Sequence, residues 1–215
     1  MRPIKVWDIA VRLFHWAIVV LIFFAWGTQQ FDHMDWHVWI GYTILTLLLF
    51  RILWGFLGSD TARFSRFLRS PARAFAHLRH IGRREADREI GHNAAGGWMV
   101  LLMLLLIGVQ AGTGLFANDD GDTEGPLMHF VSKAQSNFIS KIHAFNFTLI
   151  EIAVVLHILA IVVYAVVKRQ NLVRPMILGT KDMPPDTPAP RLASPALALV
   201  LLVVSAAAVA WLVRL

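Results

Sequence analysis

The sequence predicts an all-α polytopic membrane protein: a four-helix transmembrane bundle followed by a fifth, C-terminal transmembrane helix. Three observations predict it. Of the 215 residues, 57% are apolar and only 16% charged, where soluble domains run nearer half and a quarter. The apolar excess gathers into runs at 11–26, 37–57, 94–117, 142–167 and 192–213, each close to the about 20 residues that cross a bilayer. The cations, finally, fall almost wholly in alternate connections. Arg2, Lys5 and Arg12 flank the first run. Arg63, Arg66, Arg69, Arg73, Arg79, Arg83, Arg84 and Arg88 join the second to the third, and Lys168, Arg169, Arg174, Lys181 and Arg191 join the fourth to the fifth. The opposite side has Lys133, Lys141 and Arg214. The positive-inside rule then puts the N-terminus in the cytoplasm and the C-terminus outside. The basic balance thus reports orientation, and no nucleic-acid partner is expected.

The first run carries Trp16 and Trp26, ends in WGTQQF and lacks a small-residue cleavage site, so it reads as a retained span rather than a cleaved signal. QQFDHMDW follows, an outside turn with Asp32 and Asp35. The second run opens HVWIGY and contains the one cation within a span, Arg51. In TARFSRFLRSPARAFAHLRH, Phe64, Phe67, Leu68, Phe75 and Leu78 recur at helical intervals among arginines. That suits an amphipathic anchor on the membrane surface, with Pro71 breaking or starting a helix. Gly108 and Gly112 of the third run form GxxxG, which serves close helix packing or clearance for a flat ligand. NDDGDTEGP, with Asp119, Asp120, Asp122 and Glu124, is an acidic outside turn. GTKDMPPDTPAP reads as a proline-rich tether to the fifth span. That span, LASPALALVLLVVSAAAVAWLV, has no histidine and no ionisable group, and can only pack or anchor. The expected division is a bundle over 1–181 and a linker with the fifth helix over 182–215.

The chain has no cysteine. That excludes disulfides, iron–sulfur clusters and covalently attached c-type haem, so any redox group is held non-covalently. Four of the nine histidines lie within or at the ends of spans, where polar groups are costly and tend to mark function. His143 and His157 bracket HAFNFTLIEIAVVLH. Fourteen residues of helix turn through about 1,400° and rise about 21 Å, leaving the two on one face, about 40° apart, near opposite edges of an apolar core about 30 Å thick. With alternating spans, His15 shares the inner depth with His157, and His37 the outer depth with His143. Two histidines at one depth on different helices are what bis-axial ligation of a b-type haem iron requires. Two such layers would form an electron path across the membrane.

Other residues suit that reading. Gly41, one turn after His37, would let a flat macrocycle approach the backbone. Arg51, fourteen residues after His37, faces the same way at the inner depth, where a propionate is its natural counter-ion. Hydrogen bonding between helices is the plainer alternative for any one histidine, and a pair offers too few ligands for structural zinc. His33 and His129 belong to outside loops, though His33 lies one turn before His37 and could replace it. His77, His80 and His92 match no partner in depth. Glu151, the one acid within a span, lies about 80° from His143, and is expected neutral against a neighbouring helix, with proton handling beside a quinone as the alternative.

Taken in order, VWDIAVRLFHW, HVWIGYTILTLLLFRILWG, ARFSRFL, GHNAAGGWMVLLMLLL, TGLF and NLVRPMILG resemble the bacterial di-haem cytochrome b561 family over about residues 5–181. That family includes the b-type subunits of nickel–iron hydrogenases and, more distantly, superoxide oxidase and the membrane subunit of formate dehydrogenase. The resemblance implies a four-helix bundle holding two haem b groups, with His15 in LFHW, His37 in HVWIGY, and His143 and His157 as iron ligands. It implies a multi-pass protein of the bacterial inner membrane, embedded in lipid. It further implies quinone as exchangeable substrate, and a periplasmic c-type cytochrome or hydrogenase-like redox protein as partner, the chain serving as an electron-transfer subunit of an oxidoreductase complex. An oligomer is compatible with all of this. The acidic outside surface would attract a basic cytochrome and repel superoxide, which sets superoxide oxidase second. A membrane reductase using the same path, ferric reductase among them, stays open. A transporter is disfavoured, because its ionisable residues would sit at the midplane.

Overall fold

A computed structural model of the chain describes residues 1–80, 82, 89–121 and 123–215. Arg83, Arg84 and Arg88 of the basic connection and Asp122 of the acidic turn lie outside the described residues. The described chain is mainly helical. It opens with β1 (Arg2–Lys5), followed by α1 (Ile9–Gln30), α2 (Met34–Leu57), α3 (Phe64–Phe67), α4 (Pro71–Arg79), α5 (Ala94–Gly114), α6 (Lys133–Val166) and α7 (Val173–Leu178). The strand β2 (Thr180–Met183) and the helix α8 (Pro195–Leu212) complete it. Helices α1, α2, α5, α6 and α8 are long and apolar enough to cross a membrane.

The helix starts are written in side chains. Asp8 accepts the Val11 amide at 2.7 Å, stabilising the positive end of α1, and its other oxygen takes the Trp54 indole N–H at 3.1 Å. Pro71 stands at the first turn of α4, where its missing N–H costs nothing. Asn93 accepts the Gly96 amide to open α5. At α6, Ser132 accepts the Gln135 amide while the Gln135 side chain takes the Ser132 amide in return, a reciprocal capping box. That box starts α6 nine residues before the apolar run does. Its 34 residues span about 51 Å, well beyond the hydrocarbon thickness. The reading at 142–167 therefore captured the membrane part and missed a polar extension.

The proline-rich tether is not wholly irregular. Its first residues form β2, which pairs antiparallel with β1, Arg2 opposite Met183 and Lys5 opposite Thr180. Gly179 closes α7 at φ +83°, where a Cβ would meet the Trp7 carbonyl at 2.9 Å. The boundary expected at 181/182 thus falls within a strand. Farther along, the Arg191 amide bonds to Asp60 and the Ala193 amide to Ser59, fastening the linker to the turn after α2.

Contacts gather into two compact units, and each long helix contributes to both. One comprises Met1–Leu13, Ile52–Leu102 and Ala153–Leu199; the other comprises Phe14–Arg51, Met103–Ile152 and Val200–Leu215. The first holds the β1–β2 strand pair and the described part of the arginine-rich segment. Its core is built on Val6, Trp7, Trp54, Phe67 and Tyr164, and Thr61 donates to the Val6 carbonyl at 2.6 Å. The second holds the acidic turn and buries Ile18, Ile44, Leu48, Phe50, Leu104, Ile107 and Ile150. On α8 it buries Leu201, Ser205 and Val209, one face at four-residue intervals. The fifth helix therefore packs along a single stripe.

Candidate functional site

In the second unit, α1 ends at a turn reversed by Asp32, whose φ of 57° is left-handed. Helix α2 begins at once, and His37 falls one turn inside it. There its Nδ1 lies 2.9 Å from the Ala25 carbonyl of α1. A carbonyl only accepts, so Nδ1 carries the hydrogen, and in the neutral ring Nε2 keeps its lone pair.

His143 reaches the same state from another side. Its Nδ1 lies 3.1 Å from the Thr113 hydroxyl of α5. That hydroxyl gives its single hydrogen to the carbonyls of Val109 and Gln110, so toward His143 the oxygen is the acceptor. Nδ1–H donates, and Nε2 is again left for a ligand. One turn farther along α6, buried Asn146 donates to the Leu106 carbonyl at 2.9 Å and to the Gln110 side chain at 2.7 Å. These bonds fix α6 against α5 beside the histidine. Gly114 supplies the room: a Cβ there would meet the His143 ring at 3.2 Å.

The two rings stand with centroids 6.2 Å apart and planes inclined at 72°. An imidazole–metal bond of about 2.0 Å on each side, plus about 1.1 Å from nitrogen to ring centre, gives roughly 6.2 Å for two histidines on one ion. Around them the backbone is open. A Cβ added at Gly27, Gly41 or Gly112 would meet no atom within 4 Å. The GxxxG pair divides: Gly108 packs against Leu48 at 3.7 Å, while Gly112 faces open space.

Residues 6–179 match the family model of prokaryotic cytochrome b561. The chain belongs to that family. It is a multi-pass membrane protein of the b-type cytochromes, whose work is electron transfer in the membrane and whose cofactor is haem b. No curated protein and no solved structure matches the chain.

The surroundings of His37 and His143 suit such a group in donor chemistry, ring separation and backbone clearance. In this b561 chain the other expected residues are placed as follows. His15 is half-buried on α1, edge-on to Trp16 at 5.0 Å, and belongs to the second unit; His157, also half-buried, belongs to the first. Arg51 is only 3% exposed, and a charge so withdrawn from solvent is costly without polar or charged partners. Glu151 is exposed on α6, rather than covered by a neighbouring helix of this chain. His33 and His129 are exposed, and the His129 ring stacks on Phe130. His92 is held between Trp7 and Phe67, and His77 meets the Tyr164 hydroxyl at 2.7 Å.

Sequence reasoning missed the residues around the His37 and His143 rings: the Ala25 carbonyl, Thr113, Gly114, and the Asn146–Gln110 pair. One signal was available. Thr113 and Gly114 sit in TGLF, at the depth of His143.

The acidic turn is rigidly built. Asn118 donates to Ser136 and Asn137 and accepts from Lys133, which also pairs with Asp120 at 2.9 Å. Slight burial raises the pKa of Asp119, but amide bonds from Gly121 and Thr123 and the Thr123 hydroxyl outweigh it and hold the group below the ordinary value.

Proposed function

We propose that this b561 chain carries electrons across the bacterial inner membrane between the quinone pool and a periplasmic redox protein, through two haem b groups. The outer is held by His37 and His143, the inner by His15 and His157, with Arg51 countering a propionate of the inner one and Gly41 giving the outer one room. Haem b supplies one-electron chemistry at each position. The chain's own residues fix the rings: the Ala25 carbonyl and Thr113 hold the Nδ1 hydrogens, so that both outer imidazoles present Nε2.

The observation that carries this reading is the 6.2 Å separation of His37 and His143 with both Nδ1 atoms engaged. The inner pair rests on helical depth and on the family pattern. Orientation follows the cation distribution, with the N-terminus cytoplasmic and the acidic turn periplasmic, where a basic c-type cytochrome or hydrogenase-like protein docks. Residues 1–181 form the haem-binding bundle, and 182–215 the linker and an anchoring helix. Superoxide oxidation is disfavoured because Lys133, one of two outside lysines available to attract the anion, is taken up by Asp120 and Asn118.

The test is the haem-to-protein ratio of purified protein and two variants. Wild type is expected to hold two b haems, and His157→Ala and His143→Ala one each, with different reduced-minus-oxidised spectra. Two haems retained in either variant would overturn the assignment.

A further inference from the structure

Beside α4 the first unit contains a cavity of about 390 Å³ lined by Arg69, Arg73, Ala76, His77, His80, Glu89 and Ala94. We propose that it binds the phosphate of a phospholipid headgroup, with phosphatidylglycerol as the preferred lipid. Three of its lining groups, at 73, 77 and 80, follow one stripe of α4 and its C-terminal cap, and Arg69 stands two residues before the helix starts. Two of the four are guanidiniums, whose planar forks suit phosphate oxygens. Two are imidazoles, that of His80 with its Nδ1 2.7 Å from the Ala76 carbonyl.

The lining is held in place. The Trp98 indole donates to the Arg69 carbonyl at 2.9 Å, and His77 is fixed by the buried Tyr164 hydroxyl, which also receives the Asn93 amide at 2.5 Å. Across the cavity, Lys181 donates to the Glu89 carbonyl at 2.7 Å.

Three features point to a lipid rather than a dissolved anion. Tryptophan at a helix end, as Trp98 is on α5, marks the headgroup level of a bilayer. Phe75 and Leu78 leave α4 with a bare apolar side, 59% and 49% exposed, as in a helix lying in the interface. Basic pockets beside membrane helices on the cytoplasmic side are a recurring place for anionic headgroups. Glu89 adds selectivity: a carboxylate in the lining opposes a free phosphate, which carries up to two charges, more than the singly charged phosphodiester of phosphatidylglycerol. The volume lies within the range, from about 300 Å³ upward, that holds an organic ligand of this size. Only the naming of the leaflet rests on the orientation proposed above.

The experiment uses full-length haem-loaded protein, delipidated in neutral detergent and titrated with short-chain phosphatidylglycerol or phosphatidylcholine, bound lipid being counted by native mass spectrometry. Phosphatidylglycerol is expected to bind at least about tenfold more tightly, and R69Q/R73Q to remove about that factor. R66Q/R79Q, on the same segment but outside the lining, should change it by less than about threefold. Equal binding of the two lipids would overturn the proposal, as would equal losses in the two double variants. Full displacement by an equal concentration of inorganic phosphate would make it a free-anion site and overturn the lipid. The lipid count is independent of the haem count, so each proposal fails separately.

Discussion

Thr113 shows how much a single atom decides here. Its hydroxyl hydrogen is committed to the helix backbone, and that makes its oxygen an acceptor for His143. Removing the oxygen leaves the His143 Nδ1–H without it and loosens the ring's orientation, a loss that typically costs 10–100-fold in metal affinity. Thr113→Val is therefore expected to lower outer-haem occupancy and shift its midpoint potential, while Thr113→Ser restores both. Equal effects of Val and Ser would assign Thr113 to packing alone. The approach of His37 to His143 was legible in the sequence, because imidazoles in apolar runs are rare and helical arithmetic assigns their depth. Their orienting partners were not. A backbone carbonyl such as that of Ala25 is present at every residue, and only the angle between α1 and α2 selects it. Glu151 was misjudged for a related reason: which face of α6 is covered depends on the neighbouring helices, not on its own period.

At the level of elements, the sequence revealed the spans to within a few residues, since each is an apolar run of bilayer length. It concealed what is polar and distant. The first turns of α6 are too polar for a hydropathy reading, and only the Ser132–Gln135 capping box marks the start. The β1–β2 sheet joins four-residue strands about 180 positions apart in the sequence, a distance at which no local pattern signals pairing. The strand pair has a consequence for the boundary of the haem-binding part. Met183 is 2% exposed and opposite Arg2, so a chain ended at Lys181 loses a buried side chain and half of the strand pairing. Full burial of a methionine is worth about 1.5–3 kcal/mol. A truncation after Pro184 is expected to keep both haems and melt above one ended after Lys181, measured by loss of the haem absorption on heating. Indistinguishable melting would show that the strand pair contributes nothing to the bundle.

For the whole molecule, charge is sorted along the chain, the arginines lying in connections that alternate with the acidic turn. On the orientation proposed above, a soluble periplasmic partner would meet a surface of one sign. Lys133 cancels Asp120 in part, which leaves Asp119 and Glu124 as the turn's effective charges among the described residues. Long-range attraction of this kind acts on the encounter rate and fades as salt shortens the Debye length to about 8 Å at 0.15 M. With a basic c-type cytochrome as acceptor, Asp119→Asn with Glu124→Gln is expected to slow second-order electron transfer about tenfold at low ionic strength, the two proteins converging as salt rises. The asparagine keeps an oxygen for the Gly121 and Thr123 amides, so the turn is not itself destroyed. The pH dependence has a definite sign. Asp119 has a depressed pKa, so its carboxylate and the order it gives the turn are complete above the ordinary aspartate range and are lost only as pH falls through the lower folded value. The Asp119 share of the attraction should accordingly persist down to the ordinary aspartate pKa, about 3.9, where an unperturbed aspartate would be half neutral. A rate that is indifferent to both salt and the double substitution would move the docking surface away from this turn, and with it the case for a basic partner on the acidic side.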